Sequence, residues 1–460
     1  MIDYNLLTIQ NPWWQNSGFI KDVSKIKEFD ASLIKYLPKE ILNLNLKNQA
    51  INIVSGPRQT GKSTAIKLFI KKLLKQDFPA ERIFYFNCDA LDSKQELIEL
   101  IMFYFEIINK KGKTPLNYLF LDEISAVKDW PFGIKWLFDT GLLKNSKIIL
   151  TGSSSINLKK SGEFLPGRRG GGLDIKFLPI NFFKFFKLLH PQFCLPKKFK
   201  IINDLEKLQF ELAKEKINIK KLYHDFLLTG GFLKIINLNL KKELSGTTVE
   251  LYINTLKSEL AKFGKKEINC RHILKKIVDS LTSESSYSNI AEEAELGSKN
   301  TVIDYINFFK DSFFLQEVLF YSLPQKRIVI KKNKKYYPTD PFLVWIFQAF
   351  ILASNQIEGL YQKYLDSPLD SQLAEVFVSS ELYKQDFDIY FYKNSKELDF
   401  YLPKKNLGLE VKYKNKLIST DFKGLSLAKK KILVSKNTLE QRKDVLIVPA
   451  YLFGFMVEFL

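Results

Sequence analysis

Apolar and polar positions follow two different periods along the first half of this 460-residue chain. From Ile51 to about Pro179, short runs that are apolar on both faces alternate with stretches of helical period. Strands of that kind are typical of a parallel sheet covered by helices. The pattern therefore predicts an α/β domain built from these segments in order: Ile51–Val54, Lys62–Gln76, Arg82–Cys88, Ser93–Asn109, Tyr118–Leu121, Pro131–Leu143 and Lys147–Thr151.

The second half of the chain begins with a helical region rich in lysine and phenylalanine. Shorter helical stretches at 288–294 and 300–309 then predict a helix-turn-helix of a winged-helix domain, with Gly297 as the permissive turn residue and Ser298 as an N-cap. Such a unit either contacts DNA or serves only as a packing module. Strands of a second, smaller α/β domain are predicted at Asp388–Lys393, Glu397–Leu402, Leu407–Tyr413, Lys431–Ser435 and Val445–Val448.

A glycine-rich segment follows the first predicted strand and fits GxxxxGK[ST] at every fixed position. In a phosphate-binding P-loop of this pattern, backbone N–H groups and a helix N-terminus surround the phosphates of a nucleoside triphosphate. Lys62 would reach the β- and γ-phosphates and Ser63 would bind Mg²⁺, whereas the bland alternative is a glycine turn with an exposed lysine. The predicted ATP-binding residues are Gly56, Pro57, Arg58, Gln59, Thr60, Gly61, Lys62, Ser63 and Thr64.

Two adjacent acids, Asp122 and Glu123, end the apolar run Tyr118–Leu121. This is the arrangement of a Walker B strand, in which Asp122 would hold Mg²⁺ and Glu123 would orient or deprotonate the attacking water. A strand that simply ends in solvated acids is the alternative. The P-loop some sixty residues upstream favours the catalytic interpretation.

Hydroxyl and arginine side chains follow the next strand of the same domain. Ser153 or Ser154 could contact the γ-phosphate or the lytic water as a polar sensor, or could cap the next helix. Arg168 and Arg169 lie in a glycine-rich loop, and either could be an arginine finger that stabilises charge on the transferred phosphoryl group. A solvated basic turn is the alternative for this pair.

Acidic residues also recur in the C-terminal strands. Glu410 and Lys412 share one face of their predicted strand, and a hairpin would bring Asp399 beside Glu410. Asp399 and Glu410 would bind Mg²⁺ and polarise a phosphodiester, while Lys412 would activate water or stabilise charge. Glu375, on a predicted helix from Gln372 to Lys384, belongs to the same set. Acids and lysines that alternate on the wet face of a strand are the ordinary alternative.

Together these motifs resemble the AAA-superfamily ATPases of archaea and bacteria whose C-terminal region is PD-(D/E)XK nuclease-like. The resemblance spans nearly the whole chain and rests on an Asn-Pro-Trp-Trp lead-in, the P-loop, Leu121-Asp122-Glu123, Leu150–Ser155, Gly167-Arg168-Arg169, Leu178–Phe182 and Leu228–Phe232. It implies an ATPase core with a helical lid, a winged-helix domain and a terminal nuclease-type fold. The predicted segments are a lead-in (1–48), the ATPase core (49–180), the lid (181–276), the winged helix (277–340) and the nuclease-like domain (341–460).

Composition adds expectations about partners and location. A net charge of +20 is compatible with nucleic-acid binding, although an AT-rich genome would enrich lysine in any case. No apolar run reaches the roughly 18 residues that a bilayer requires, no signal peptide precedes the first domain, and the three cysteines and three histidines show no zinc-ligand spacing. We therefore expect a cytoplasmic ATPase that acts on or with DNA and has no membrane partner; homo-oligomers are compatible with an arginine supplied in trans.

Two alternatives remain open from sequence. The chain could be an ATP-gated switch that binds another protein, with an inactive nuclease-like scaffold. It could instead be a nuclease gated by ATP, in which case Asp399, Glu410 and Lys412 must be catalytic.

Overall fold

A computed structural model of the chain describes residues 3–42, 44, 46–109, 116–153, 167–195, 202–354, 359 and 370–460. The chain divides into two units, Met1–Leu178 and Pro179–Leu460. Helices and strands are numbered below over the described residues alone. No helix in those ranges combines the length and the apolar character needed to cross a bilayer.

The N-terminal unit is built on a five-stranded sheet with the order β2-β3-β4-β1-β5, in which every pair is parallel. Its strands are β1 (Ile51–Ser55), β2 (Ile83–Asn87), β3 (Asn117–Asp122), β4 (Ser146–Gly152) and β5 (Asp174–Lys176). Its helices are α1 (Tyr4–Gln10), α2 (Ser24–Asp30), α3 (Lys39–Leu42), α4 (Lys62–Lys75), α5 (Lys94–Asn109) and α6 (Trp130–Asp139). The predicted α/β class is confirmed.

Apolar side chains cover both faces of this sheet, as the sequence predicted. One cluster packs β2, β3 and β4 against α5 and α6, and the other packs the opposite face against α4. All six residues of β3 are buried. The sheet edge at which the strands end is therefore the part of the unit where polar side chains can meet.

The lead-in segment attaches to β2 through side chains. Asn11 pairs with the backbone of Tyr85 at both ends, since Tyr85 N–H donates to Asn11 Oδ1 (2.7 Å) and Asn11 Nδ2 donates to Tyr85 O (2.9 Å). The indole N–H groups of Trp13 and Trp14 both donate to Ile83 O at 3.0 Å. The two tryptophans thus pack the lead-in onto the core.

The C-terminal unit begins with a helical region and continues into a helix-turn-helix. Its helices are α7 (Phe182–Leu189), α8 (Ile202–Lys214), α9 (Ile219–Thr229), α10 (Leu233–Lys241), α11 (Gly246–Lys262), α12 (Glu267–Asp279), α13 (Tyr287–Glu293), α14 (Lys299–Asp311), α15 (Pro341–Leu352), α16 (Asp370–Lys384) and α17 (Ala450–Met456). Ser298 caps α14 by accepting from Asn300 N–H (3.1 Å), as predicted. The turn residue with positive φ is Glu295 (φ 55°), so the prediction that Gly297 takes this role is wrong.

A nine-stranded sheet spans the segments predicted as winged-helix and nuclease-like domains. Its strands are β6 (Leu315–Ser322), β7 (Arg327–Ile328), β8 (Lys335–Pro338), β9 (Tyr390–Lys393), β10 (Glu397–Leu402), β11 (Leu407–Lys412), β12 (Lys430–Ser435), β13 (Glu440–Arg442) and β14 (Val445–Pro449). Strands β6 and β9 pair in parallel at Leu319↔Tyr390 and Phe320↔Phe391. This pairing joins the two predicted segments into one sheet.

A buried ionic cluster, formed by the side chains of Asp340, Glu381 and Lys384, contacts the backbone at the start of the C-terminal unit. Lys384 Nζ lies 2.8 Å from Asp340 Oδ2 and 3.4 Å from Glu381 Oε1. The carboxylates also accept backbone N–H groups, Asp340 from Gly231 and Glu381 from Phe182, both at 2.9 Å. The cluster therefore fixes the backbone within two of the short motifs of the sequence, Leu178–Phe182 and Leu228–Phe232.

Candidate functional site

The glycine-rich segment forms a loop between β1 and α4. A Cβ added at Gly56 would lie 2.1 Å from the Phe177 carbonyl oxygen, so the backbone approach there requires glycine. Gly61 has φ +101° and directly precedes α4, and a Cβ at Gly61 would meet nothing within 4 Å. The loop thus presents its backbone and the N-terminus of a 14-residue helix to open space.

Lys62 folds back over this loop. Its Nζ donates to the carbonyl oxygens of Gly56 (2.8 Å) and Pro57 (3.0 Å) and lies 3.8 Å from Glu123 Oε1. The Lys62 side chain is 4% exposed. The structure therefore brings together the lysine of the loop and the second acid of β3, which the sequence placed some sixty residues apart.

The acids at the end of β3 are held by hydroxyl groups. Asp122 accepts from Tyr85 OH at 2.8 Å through Oδ2 and from Thr151 Oγ1 through Oδ1. The backbone N–H of Glu123 donates to the same Thr151 hydroxyl (3.0 Å), and Ser153 N–H donates to Glu123 Oε2 (3.1 Å). Glu123 has φ 52°, in the left-handed region that is costly for a non-glycine residue. Ser154 lies outside the described residues.

The two arginines lie at the opposite end of β1 from the P-loop. Arg169 O accepts from Ile51 N–H (3.0 Å), and its guanidinium pairs with Asp174 (2.7 Å). Arg168 Nε donates to Asp139 Oδ1 at 2.6 Å. Because β1 rises roughly 3.3 Å per residue, the length of the strand separates these side chains from Lys62. The structure does not bring Arg168 or Arg169 to the phosphate loop of its own chain, because the glycine loop that carries them crosses the amino end of the strand.

A second polar cluster lies on β10 and β11, which pair as an antiparallel hairpin with Phe400 opposite Leu409. Asp399 precedes Phe400 and Glu410 follows Leu409, so the hairpin brings the two acids close together, which is the arrangement expected from the sequence. Lys412 Nζ lies 2.7 Å from Glu410 Oε2 and 3.4 Å from Asp399 Oδ2, and Val411 N–H donates to Asp399 Oδ2 (2.9 Å). Glu410 Oε1 is buried and makes no hydrogen bond.

A buried lysine from β8 completes this cluster. Lys335 Nζ lies 3.0 Å from Glu397 Oε1, 3.3 Å from Asp399 Oδ1 and 3.4 Å from Glu375 Oε1. Tyr337 OH also donates to Glu375. The acids of this cluster line a cleft of about 620 Å³ together with four lysines. The lining includes Glu375, Glu397, Asp399, Glu410, Lys393, Lys396, Lys412 and Lys423.

Comparisons with known proteins concern the site at the loop between β1 and α4. The family model described as "AAA domain" matches residues 48–186. The N-terminal unit contains an AAA-type P-loop ATPase domain. A second family model, described as a domain of unknown function (DUF8612), matches residues 220–349 and assigns them no activity.

The individual proteins to which the chain is similar have low sequence identity to it. An uncharacterized protein of Haemophilus influenzae is 25% identical over 303 residues, which cover 63% of this chain and 67% of that protein. Among solved structures, the ORC2 protein of Aeropyrum pernix is 11% identical with a TM-score of 0.35, covering 69% of this chain and 89% of that one. Cdc6p of Pyrobaculum aerophilum is 13% identical with a TM-score of 0.26, covering 67% and 90%. TM-scores this low carry no argument about function.

Three residues that sequence reasoning missed surround Asp122 in the ATPase domain: Tyr85, Thr151 and Lys67. Burial raises the pKa of the Tyr85 hydroxyl far above its ordinary value, and the Asp122 carboxylate raises it further, so Tyr85 remains a donor. Lys67 Nζ lies 3.0 Å from the Tyr85 ring centroid and 4.8 Å from that of Trp13. Burial lowers the pKa of Lys67 to about 7, against the opposing effect of Asp122. A polar residue at the end of β4, beside the acids on β3, is the signal that could have identified Thr151.

The electrostatics of the C-terminal cluster separate its two facing acids. Burial opposes ionisation of Asp399, but Lys335 and Lys412 lower its pKa below the ordinary value. Burial and the Asp399 charge raise the pKa of Glu410. Lys335, Tyr337 and Glu397 were missed from sequence, since β8 and β10 approach each other only in the folded sheet.

Proposed function

We propose that this chain binds and hydrolyses ATP at the loop between β1 and α4. The observation that carries the proposal is the convergence of Lys62 and Glu123, 3.8 Å apart, at the open end of that loop. A lysine and an acid in this position can act on a phosphoryl group from two sides. The AAA domain match supports the same activity.

Each residue of the loop has a proposed role. The backbone N–H groups of residues 56–64 would surround the phosphates, and Lys62 would exchange its carbonyl partners for β- and γ-phosphate oxygens. The open space above Gly61 and the oxygen chemistry of Ser63 and Asp122 fit a magnesium nucleotide. Mg²⁺, when bound, supplies positive charge that neutralises the phosphate oxygens.

Glu123 is the proposed base that orients the attacking water. Lys62 and the N–H of Ser153 already hold its carboxylate at the end of β3. Thr151 fixes the backbone at Glu123 and one oxygen of Asp122, so both acids have defined directions before ATP arrives. Ser153 thus contributes through its backbone, and its side chain stays a proposed sensor.

Arg168 or Arg169 would act in trans if either is a finger. Their position at the amino end of β1 separates them from the phosphate loop of the same chain. A neighbouring copy would then have to supply the arginine, which implies a homo-oligomer in the ATP-bound state.

The test compares ATP binding by calorimetry with ATP turnover in three variants. Lys62→Ala should lose both, and Glu123→Gln should retain binding while turnover falls by about 10²-fold or more. Lys72→Ala, which alters an exposed lysine of the same helix, is the matched control and should leave both unchanged. Binding of ATP by Lys62→Ala at wild-type affinity would contradict the proposal.

DNA is the proposed partner of the ATPase. The hairpin between β6 and β8, which we call the basic wing, exposes Lys326, Arg327, Lys331 and Lys332. It follows the helix-turn-helix of α13 and α14, an arrangement that supports the predicted winged helix. The alternative partner is a protein, in which case neither single- nor double-stranded DNA would bind or change ATP turnover.

A second proposed function is metal-dependent cleavage of a phosphodiester at the β10–β11 hairpin. The observation in its favour is the convergence of Asp399, Glu410 and Lys412 within one cleft. Glu410 Oε1 is buried without a hydrogen bond, and a Cβ at Gly424 would lie 2.0 Å from it, so the close packing beside this oxygen requires glycine. Mg²⁺ typically binds through one or two carboxylates with waters, which fits this pair.

The two functions can be separated by one substitution. Glu410→Ala should abolish metal-dependent DNA cutting and leave ATP hydrolysis intact, whereas Glu440→Ala, on the sheet-edge strand β13, should change neither. If wild type cuts no DNA with Mg²⁺ or Mn²⁺, the hairpin is the inactive scaffold of an ATP-gated switch.

A further inference from the structure

We propose that Lys335 is a built-in cation of the C-terminal cleft and limits it to one divalent ion, bound between Asp399 and Glu410. The inference rests on the proposed metal site but concerns how many ions that site accepts. It assigns a role to a residue of β8 that precedes the hairpin by more than sixty positions.

Lys335 occupies the position in which a second ion would sit. Its side chain is 1% exposed, and its ammonium lies within 3.0–3.4 Å of three carboxylates, those of Glu375, Glu397 and Asp399. These acids come from α16 and β10, so Lys335 joins a helix and two strands at one point. Three convergent carboxylates without an ammonium would be a typical ligand set for a divalent cation.

The charge balance explains why this half of the cleft is closed to metal. A divalent ion on Glu375 and Asp399 would lie against the Lys335 ammonium in a buried, weakly screened place. The ion and the ammonium therefore exclude each other.

The other half of the cleft retains one acceptor for an ion. Both oxygens of Asp399 already have donors, Lys335 on one side and Val411 N–H with Lys412 on the other. Glu410 Oε2 accepts from Lys412, which leaves Glu410 Oε1 as the oxygen of this pair that makes no hydrogen bond. A single ion would bind there and share the Asp399 carboxylate.

Lys335 is consequently a positioning residue. Its ammonium contacts Glu375 and Asp399, so the positions of these two acids do not depend on a metal ion. Two-ion chemistry would require that Lys335 leave its three partners.

The test counts Mn²⁺ ions bound to the full-length, nucleotide-free chain by paramagnetic resonance titration. Wild type should bind one ion that Glu410→Gln loses, and Lys335→Met should bind one ion more than wild type. Lys334→Met is the matched control, because Lys334 is also buried but donates to the carbonyl oxygens of Ile330 and Lys332. It should bind the same number of ions as wild type.

An equal number of ions in Lys335→Met and wild type would overturn the inference, as would two ions in wild type that are both lost in Glu410→Gln. If wild type binds none, the proposed metal site fails together with the one-ion claim. Anomalous diffraction from wild-type crystals grown with Mn²⁺ decides the question without a substitution. One peak between Asp399 and Glu410 is expected, and a peak coordinated by Glu375 contradicts the inference.

Discussion

A single hydroxyl, that of Thr151, orders both acids at the end of β3. It donates to Asp122 and accepts from the backbone N–H of Glu123. Glu123 has a left-handed backbone conformation that disfavours a non-glycine residue, and this hydrogen bond is one of the contacts that compensate for it. The position of the proposed base thus depends on a side chain from the neighbouring strand.

We predict that Thr151→Val impairs ATP turnover much more than ATP binding. The substitution keeps the shape of the side chain but removes a hydrogen bond to a charged group, which is worth about 1.5–3 kcal/mol. Turnover should therefore fall by roughly 10- to 100-fold, measured by phosphate release at saturating ATP. Calorimetry should show an ATP dissociation constant within a few-fold of that of wild type.

Thr140→Val is the control for this substitution. Thr140 lies at the C-terminal end of α6, and its hydroxyl donates only to the carbonyl oxygen of Leu137. Its turnover should equal that of wild type. If Thr151→Val and Thr140→Val hydrolyse ATP at the same rate, Thr151 does not position the acids.

Sequence analysis identified the site residues that lie at a short, fixed spacing from a predicted strand or glycine-rich loop. Asp122 and Glu123 stand at the end of the buried strand β3, and Lys62 begins the helix after the loop that follows β1. The parallel sheet brings the ends of these strands to one edge. Tyr85 and Lys67 cannot be identified in this way, because the contact of Tyr85 with Asp122 and that of Lys67 with the Tyr85 ring depend on which strand and helix faces meet in the fold. The same limit applies to Lys335.

At the scale of elements, the lead-in protects the edge strand β2. An edge strand presents unpaired backbone groups that can pair with other chains. The amide of Asn11 pairs with both backbone groups of Tyr85, as a neighbouring strand would do. The lead-in therefore completes the sheet without adding a strand.

We predict that Asn11→Ala destabilises the N-terminal unit by about 2–4 kcal/mol, because it leaves two buried backbone groups without partners. The free energy of unfolding from urea titrations, followed by tryptophan fluorescence, measures the effect. Asn16→Ala removes an exposed N-cap that accepts from Gly18 N–H and should cost at most about 1 kcal/mol. Equal losses in the two variants would show that Asn11 acts as an ordinary cap.

The positions of many strands were predictable in both units, whereas those of β6, β7, β8 and β13 and the pairing of β6 with β9 were not. The predicted bounds of β10 are those observed, and those of β11 and β12 differ by one residue at one end. The bounds of these strands can be predicted because each strand is an apolar run with polar turn residues at both ends. The parallel pairing of β6 with β9 joins segments about seventy residues apart and has no signature in either strand. The predicted boundary at residue 341 therefore falls within a continuous sheet.

The ionic cluster Asp340–Glu381–Lys384 makes the stability of the C-terminal unit depend on pH. Burial raises the pKa of Glu381 to about 7, against the opposing effect of Lys384. Since this folded-state pKa lies above the ordinary value of 4.5, the stability contribution is complete below pH 4.5 and is lost as the pH rises through 7. Asp340 and Lys384 are the charged groups that face Glu381.

We predict that Glu381→Gln removes this loss of stability between pH 4.5 and 7. The introduced amide can still accept from Phe182 N–H but does not titrate, so the free energy of unfolding of the variant should fall less with pH than that of wild type. The indole NMR signal of Trp345, the one tryptophan of residues 179–460, reports unfolding of this unit in urea. Parallel pH profiles for the two proteins would contradict the assignment.

At the scale of the whole molecule, a net charge of +20 makes binding to a polyanion expected wherever basic side chains cluster. Distributed charge and a localised site differ in their salt dependence, because each phosphate that a protein neutralises adds about 0.9 to the slope of log K against log salt. The basic wing concentrates four exposed cations on one hairpin. The proposed DNA site can therefore be tested against the charge of the chain as a whole.

We predict that replacing Lys326, Arg327, Lys331 and Lys332 by glutamine weakens binding to duplex DNA and lowers the salt slope by about 3–4. Fluorescence anisotropy from 50 to 200 mM salt measures both quantities. The matched control replaces four exposed lysines of the helical region, Lys207, Lys216, Lys220 and Lys234, and removes the same charge. If both variants lower the slope equally, the wing is not the site and binding reflects net charge. If wild type does not bind DNA at 50 mM salt, a protein partner replaces DNA in the proposed function.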